Sequence, residues 1–111
     1  MKAKGDAAEA AAEEHLLGSG LKLVERNYRC RFGEIDLILE DGATLVFVEV
    51  RRRTSASFGG AIESITAGKR ERLLATAKHY LAGRKSIACR FDAVLMQGSD
   101  PIRWVKNAFE A

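Results

Sequence analysis

The chain has 111 residues, of which 47% are hydrophobic and 30% are charged. This length and apolar content predict a single domain over residues 1–111 and exclude a chain too polar to bury a core. No run approaches the roughly 20 apolar residues that cross a bilayer, and the first residues lack the hydrophobic stretch of a signal peptide. We therefore expect a cytoplasmic protein with no membrane partner.

Charge is unevenly distributed along the chain. There are 18 Lys and Arg residues against 15 Asp and Glu residues, a net charge of +3. Residues 1–50 hold 6 basic and 10 acidic residues, a net −4, whereas residues 51–111 hold 12 and 5, a net +7. This asymmetry fits a carboxylate-rich site beside a phosphate-binding surface, and it also fits charges that only face solvent.

The first half of the chain predicts a helix and three strands. Residues 6–17 are rich in alanine, Asp6 suits the N-cap, and the glycines that follow can end the helix. Residues 21–31 alternate imperfectly, residues 34–39 form a second strand, and residues 45–51 form an apolar third strand. The turn signal Asp41-Gly42 predicts that the second and third strands form a hairpin.

The second half predicts a polar loop, a second helix and two more strands. The loop covers residues 54–60, and the helix runs from Thr66 to Ala82 with Gly83 as its stop. Residues 88–96 form a strand, and residues 102–109 form either another strand or a partly helical segment. The expected fold is an α/β mixed sheet with a helix on each face, in the order α-β-β-β-α-β-β.

Three charged residues stand in otherwise apolar strands: Asp36, Glu49 and Arg51. Burial of unpaired carboxylates is unfavourable, so such residues need cations, hydrogen bonds or a place at the open end of a sheet. The hairpin would bring Asp36 beside Glu49, and Arg51 shares the face of Glu49. Two carboxylates of this kind suit Mg²⁺ or Mn²⁺. The alternative is a structural ion pair between Glu49 and Arg51.

Basic side chains predict a surface for phosphates. Arg51, Arg52 and Arg53 follow the third strand. On the second helix, the basic Lys69, Arg72 and His79 share one stripe with the polar Thr76. Contacts of this kind give salt-dependent affinity without reading a base sequence. A solvated helix face is the alternative interpretation.

Several motifs together resemble a known family. They are Gly33-Glu34-Ile35-Asp36-Leu37-Ile38, Val46-Phe47-Val48-Glu49-Val50-Arg51-Arg52-Arg53, Phe58-Gly59, Lys69 and Arg90-Phe91-Asp92. In this order they look like the YraN-type family of uncharacterised bacterial proteins, which is similar to endonucleases of the restriction-enzyme and Holliday junction resolvase class. The resemblance implies a restriction-endonuclease-like fold, Asp36 and Glu49 as metal ligands, and Glu9 as an additional ligand that binds directly or through water. It also implies a DNA substrate and a homodimer.

Glu9 also has a structural interpretation, because Asp6 and Glu9 have the spacing of a capping box. Glu34 and Asp92 are interpreted as structural acids, Asp92 as a partner of Arg90. Trp104 is interpreted as a core anchor rather than a base-stacking platform.

The sequence departs from the resembled nucleases at one position. Their pattern is Glu-x-Lys, whereas this chain has Glu49-Val50-Arg51. A guanidinium offers charge and a bidentate fork but cannot act as a general base. Lys69 is a candidate to supply the missing ammonium. We therefore expect a metal-dependent endonuclease acting on DNA, with branched or structured DNA among its candidate substrates, and with a non-catalytic nucleic-acid-binding module and a protein-interaction domain as alternatives.

Overall fold

The computed structural model describes residues 6–53, 65–84 and 87–109, except for the side chains of Asp6 and Arg53. In chain order the elements are α1 (Asp6–Gly18), β1 (Lys22–Cys30), β2 (Gly33–Asp41), β3 (Thr44–Arg53), α2 (Ala67–Leu81), β4 (Cys89–Gln97) and β5 (Arg103–Phe109). The predicted order is confirmed, and the last segment is a strand rather than a helix. The predicted loop over residues 54–60 and the capping role of Asp6 lie outside the described residues.

The five strands form one mixed sheet in the order β1-β2-β3-β4-β5. Only the β3–β4 pair is parallel, and the other neighbours are antiparallel. The predicted β2–β3 hairpin is confirmed, with Asp41 paired to Thr44 across the turn. Since α2 lies between β3 and β4 in the chain, it belongs to the crossover that a parallel pair requires.

A helix covers each face of the sheet, as the sequence predicts. Against α1, one apolar cluster holds Ala12, Leu16, Leu21, Leu37, Leu39, Val46, Val48 and Val94. Against α2, the other includes Ile35, Ile38, Phe47, Leu73, Ala77, Tyr80 and Phe91. The central strand β3 contributes to both clusters, and all its residues from Leu45 to Val48 are buried. This explains why its sequence is apolar on both faces.

The ends of both helices follow from local sequence. The hydroxyl of Thr66 accepts a hydrogen bond from the Lys69 amide at 3.2 Å, so Thr66 is the N-cap of α2. At the end of α1 the Leu21 amide donates to the Leu16 carbonyl at 3.2 Å, across Gly20 with φ +103°. Within the described residues, no helix is both long enough and apolar enough to cross a membrane.

Asp92 is a fully buried carboxylate with a complete set of donors. Its Oδ1 accepts from Arg90 Nε at 3.0 Å and from the Asn107 amide at 3.0 Å. Its Oδ2 accepts from Trp104 Nε1 at 2.9 Å, and Arg90 Nη2 reaches Asp41 Oδ2 at 2.9 Å. The structural interpretation of Asp92 is therefore confirmed, and Trp104 is confirmed as an anchor rather than a free aromatic surface.

We expect Asp92→Asn to destabilise the protein by about 3 kcal/mol, because the change removes the charge facing Arg90 and replaces an acceptor with a donor. Urea denaturation measures this loss. The matched control is Asp100→Asn at an exposed turn, which should change the free energy of unfolding by less than about 0.5 kcal/mol. A loss below about 1 kcal/mol for Asp92→Asn would contradict the structural role of this network.

Candidate functional site

Two acidic side chains meet where β2 begins and the buried part of β3 ends. The last paired residues of the β2–β3 ladder are Leu37 and Val48, and Asp36 and Glu49 are the next residues on the two strands. Asp36 Oδ2 accepts a hydrogen bond from the Val50 amide at 2.8 Å. The hairpin therefore brings the two carboxylates together, as the turn at Asp41-Gly42 predicts.

The environment of the two carboxylates opposes their ionisation. Burial is the largest cause for Asp36, and the charge of Glu49 adds to it, so its pKa rises to about 8. The charges of Glu9 and Glu34 raise the pKa of Asp36 further. Burial also raises the pKa of Glu49, although Lys69 and Arg51 act in the opposite direction. Near neutral pH these surroundings favour the protonated form of Asp36.

Two cationic side chains from different elements flank Glu49. Arg51 Nη1 lies 3.2 Å from Glu49 Oε2, so the predicted ion pair forms. Lys69 comes from the first turn of α2, lines the same cavity, and its charge lowers the pKa of Glu49. Lys69 therefore reaches the acidic pair from a separate element, which the sequence left undecided.

All these groups open into one cavity of about 470 Å³. Its lining residues are Ala8, Glu9, Gly33, Glu34, Asp36, Glu49, Val50, Arg51, Arg52, Lys69, Arg72 and Leu73. The cavity thus contains four acidic and four basic side chains, with the acidic pair in its wall. We call it the acidic cavity.

Most residues predicted for the site line the acidic cavity. Of the stripe predicted on α2, only the first two residues do so. Lys69 and Arg72 line the cavity. Thr76 is completely buried and donates its hydroxyl to the Arg72 carbonyl at 2.7 Å, so its assignment to a phosphate-binding stripe is wrong. His79 is exposed one turn farther along and bonds to Tyr28. The side chain of Arg53 lies outside the described residues.

Asn27 is a site residue that the sequence analysis missed. Its Nδ2 lies 3.0 Å from Glu9 Oε1 and 3.3 Å from Glu34 Oε2, so one amide joins two acids that line the cavity. Asn27 has φ +53°, a left-handed conformation that asparagine tolerates better than most residues. The only sequence signal was the broken alternation of β1 around this position.

The donor set suits a hard cation that keeps part of its water shell. Among the described residues, no group of three or more His, Cys, Asp or Glu side chains is arranged to share a metal ion. Asp36 and Glu49 alone would supply two carboxylates. Mg²⁺ commonly binds through one or two carboxylates, with water and substrate phosphate completing its shell. The residues therefore fit Mg²⁺ or Mn²⁺ bound with a phosphate better than a cage made only of protein.

Comparisons with known proteins identify close relatives of the whole chain. The model of the "Uncharacterised protein family UPF0102" matches residues 8–96. A UPF0102 protein of Methylobacillus flagellatus is 55% identical, with 100% of both chains covered. Another, from Nitrosomonas europaea, is 56% identical, with 96% of this chain and 93% of the relative covered. The chain therefore belongs to UPF0102, the YraN-type family that its motifs resemble.

Proposed function

We propose that this protein is a metal-dependent endonuclease that acts on DNA, including branched or structured DNA. The observation that carries the proposal is the contact between Asp36 and Glu49 inside a cavity rimmed by basic side chains. Two buried carboxylates in contact are unfavourable when both are ionised, because burial and the neighbouring charge oppose the ionisation of Asp36. Carboxylates with a raised pKa of this kind are common at functional sites.

Asp36 and Glu49 are the residues that would hold Mg²⁺ or Mn²⁺. When bound, the ion supplies Lewis acidity and lowers the pKa of a coordinated water. Arg51 and Lys69 are placed to contact a phosphate beside the pair, where their charges stabilise the negative charge that develops on the phosphoryl oxygens. Asn27 orients Glu9 and Glu34, whose charges keep the cavity attractive to cations.

The basic rim supports nucleic acid as the ligand. Arg52 and Arg72 are exposed, and with Lys69 they line the side of the cavity that faces α2 and the end of β3. Arg53 is the further basic residue that we assign to this surface from the sequence. Such contacts bind the backbone of DNA in any sequence, and their affinity falls as salt rises. The proposal includes a cytoplasmic location and a homodimer, since two active sites would allow both strands to be cut.

One observation favours a second candidate function. Arg51 replaces the lysine of the resembled nucleases and forms an ion pair with Glu49, which occupies one of its carboxylate oxygens. A module that has lost turnover would keep the fold and the basic rim. This alternative predicts salt-sensitive DNA binding in the presence of metal, without any cleavage.

Cleavage of DNA is the primary test of the proposal. We expect purified protein with Mn²⁺ or Mg²⁺ to cut at least one substrate among linear, nicked, flapped and four-way DNA. Asp36→Asn and Glu49→Gln should each reduce the rate at least 100-fold, because each removes a metal ligand. Gel analysis of labelled DNA measures the rate.

The matched control for this test is Glu40→Gln, an exposed acid on the same strand as Asp36 but outside the acidic cavity. It should cleave at the wild-type rate. Cleavage that survives both Asp36→Asn and Glu49→Gln would contradict the assignment of the active site. DNA binding by the wild type with no cleavage of any substrate would favour the binding module.

Thermal stability should report the proton held by Asp36. The pKa of Asp36 is higher in the folded protein, at about 8, than in the unfolded chain, at about 4. The folded protein therefore binds this proton more tightly, and the free energy of unfolding falls as pH rises between these two values. In EDTA we therefore expect Asp36→Asn to melt at a higher temperature than wild type at pH 8, with the difference shrinking towards pH 5. Differential scanning fluorimetry measures both melting temperatures.

Metal should reverse this order of stability. Added Mn²⁺ should raise the melting temperature of the wild type at pH 8 and leave that of Asp36→Asn nearly unchanged, because binding to the folded state alone is stabilising. A melting temperature of Asp36→Asn below that of wild type in EDTA at pH 8 would contradict the unfavourable carboxylate contact.

We expect Lys69 to contribute more to kcat than to the affinity for DNA. We expect Lys69→Ala to lower kcat about 10- to 100-fold at saturating DNA, because its charge lies beside Glu49. Lys78→Ala, an exposed lysine on the same helix, is the control and should leave kcat unchanged. If Lys69→Ala and Lys78→Ala raise KM equally and leave kcat unchanged, Lys69 only binds the DNA backbone.

Arg51→Lys should retain or increase kcat, since it restores the Glu-x-Lys pattern.

A further inference from the structure

An exposed phenylalanine occupies the tip of the β1–β2 hairpin. Cys30 and Gly33 are the last paired residues of the ladder, so the turn consists of Arg31 and Phe32. Turns of two residues favour glycine, asparagine and aspartate, so a phenylalanine is unusual there. Phe32 is 39% exposed and belongs to neither apolar cluster of the core, so part of its ring is available to a ligand.

Neighbouring side chains hold the ring of Phe32 in place. The guanidinium carbon of Arg31 lies 4.9 Å from its centroid. The ring of His79 lies 6.0 Å away at an angle of 64°, and Tyr28 Oη lies 2.7 Å from His79 Nδ1. The exposed guanidinium of Arg31 lies over a face of the ring, so a flat ligand can stack on the guanidinium or on the uncovered part of the ring. A ring already held by its neighbours loses little freedom when it does so. We call Arg31, Phe32 and His79 the hairpin platform.

The hairpin platform is connected directly to the acidic cavity. Gly33 follows Phe32 and lines that cavity together with Asp36. A Cβ at Gly33 would lie 3.1 Å from Thr76 Oγ1 and 3.7 Å from Arg72 Cβ, so the hairpin is seated closely against α2. Only glycine permits this approach without a shift. Platform and cavity are therefore neighbouring parts of one surface.

The distance between the two features suits a nucleic acid strand. Arg72 lines the acidic cavity and His79 belongs to the platform. Seven residues of helix between them correspond to about 10 Å. This span is within the reach of a short stretch of a nucleic acid strand. A strand whose phosphates contact Lys69 and Arg72 would therefore bring a base near Phe32 a few nucleotides away.

We propose that the hairpin platform stacks an unpaired nucleobase of a DNA strand whose backbone enters the acidic cavity. This inference rests on the proposed function for the scissile phosphate, but base stacking itself requires no metal. A paired base exposes only its edges, whereas an unpaired base offers a free face to an aromatic ring. The ligand is therefore DNA with single-stranded nucleotides next to a duplex, such as an overhang, a flap or an open junction.

Phosphate attraction makes DNA a better occupant than an apolar protein segment. The platform contains Arg31 beside the ring, and the adjacent rim contains Lys69 and Arg72. An exposed guanidinium can both contact a phosphate and stack on a base. The patch thus combines a single aromatic ring with several cations, which is the composition of surfaces that bind single strands.

Fluorescence of 2-aminopurine tests the proposal without catalysis. The probe is a duplex with a single-stranded overhang that carries 2-aminopurine, mixed with protein at low salt in EDTA. We expect binding of the wild type to change the probe fluorescence, and Phe32→Ala to abolish that change. Phe32→Ala should also weaken overhang binding about 10-fold, while blunt duplex affinity changes less than 2-fold. Phe32→Tyr should retain the signal, because it keeps the stacking ring.

Leu17→Ala is the matched control, since Leu17 is 40% exposed on α1 and does not line the acidic cavity. This variant should behave as the wild type. An unchanged signal in Phe32→Ala, or an equal loss of duplex and overhang affinity, would overturn the proposal. So would sedimentation showing that Phe32→Ala only dissociates a dimer. A wild type that stacks the probe but never cleaves DNA would refute the endonuclease and retain the platform.

Discussion

The contact between Asp36 and Glu49 is the constraint around which the site is organised. Antiparallel pairing of β2 with β3 leaves these two residues adjacent at the end of the ladder. Burial and the charge of Glu49 raise the pKa of Asp36, and burial raises the pKa of Glu49, although its contacts with Arg51 and Asp36 act in the opposite direction. Replacing either acid by an apolar residue would relieve this cost, so the pair is a feature that stability alone does not favour.

A comparison with Asp92 shows why burial alone does not identify a site. Asp92 is fully buried, yet its two oxygens accept bonds from Arg90, Trp104 and the Asn107 amide. Asp36 has one backbone donor and an acidic neighbour. Both stand in apolar strand sequence, and only the donors that surround them distinguish the structural acid from the candidate metal ligand.

Local sequence predicted the elements well because each carries its own signal. The Asp41-Gly42 turn sets the register of the hairpin, and that register alone brings Asp36 to Glu49. Other features depend on contacts between distant segments. The reach of Lys69 and the burial of Thr76 follow from how α2 packs on the sheet. Asn27 was missed because its left-handed backbone, which aims its amide at two acids, leaves only a disturbed strand pattern.

The position of Lys69 changes how the Glu-x-Arg pattern should be interpreted. A lysine two residues after Glu49 would act from β3, whereas here arginine holds that place and an ammonium approaches Glu49 from α2. Charge near the acidic pair is thus preserved although the motif is altered. Since α2 also borders the hairpin tip through Arg72 and His79, one helix connects the ammonium near Glu49 to the hairpin platform. Because packed elements shift as units, a movement of α2 along the sheet would move both features together.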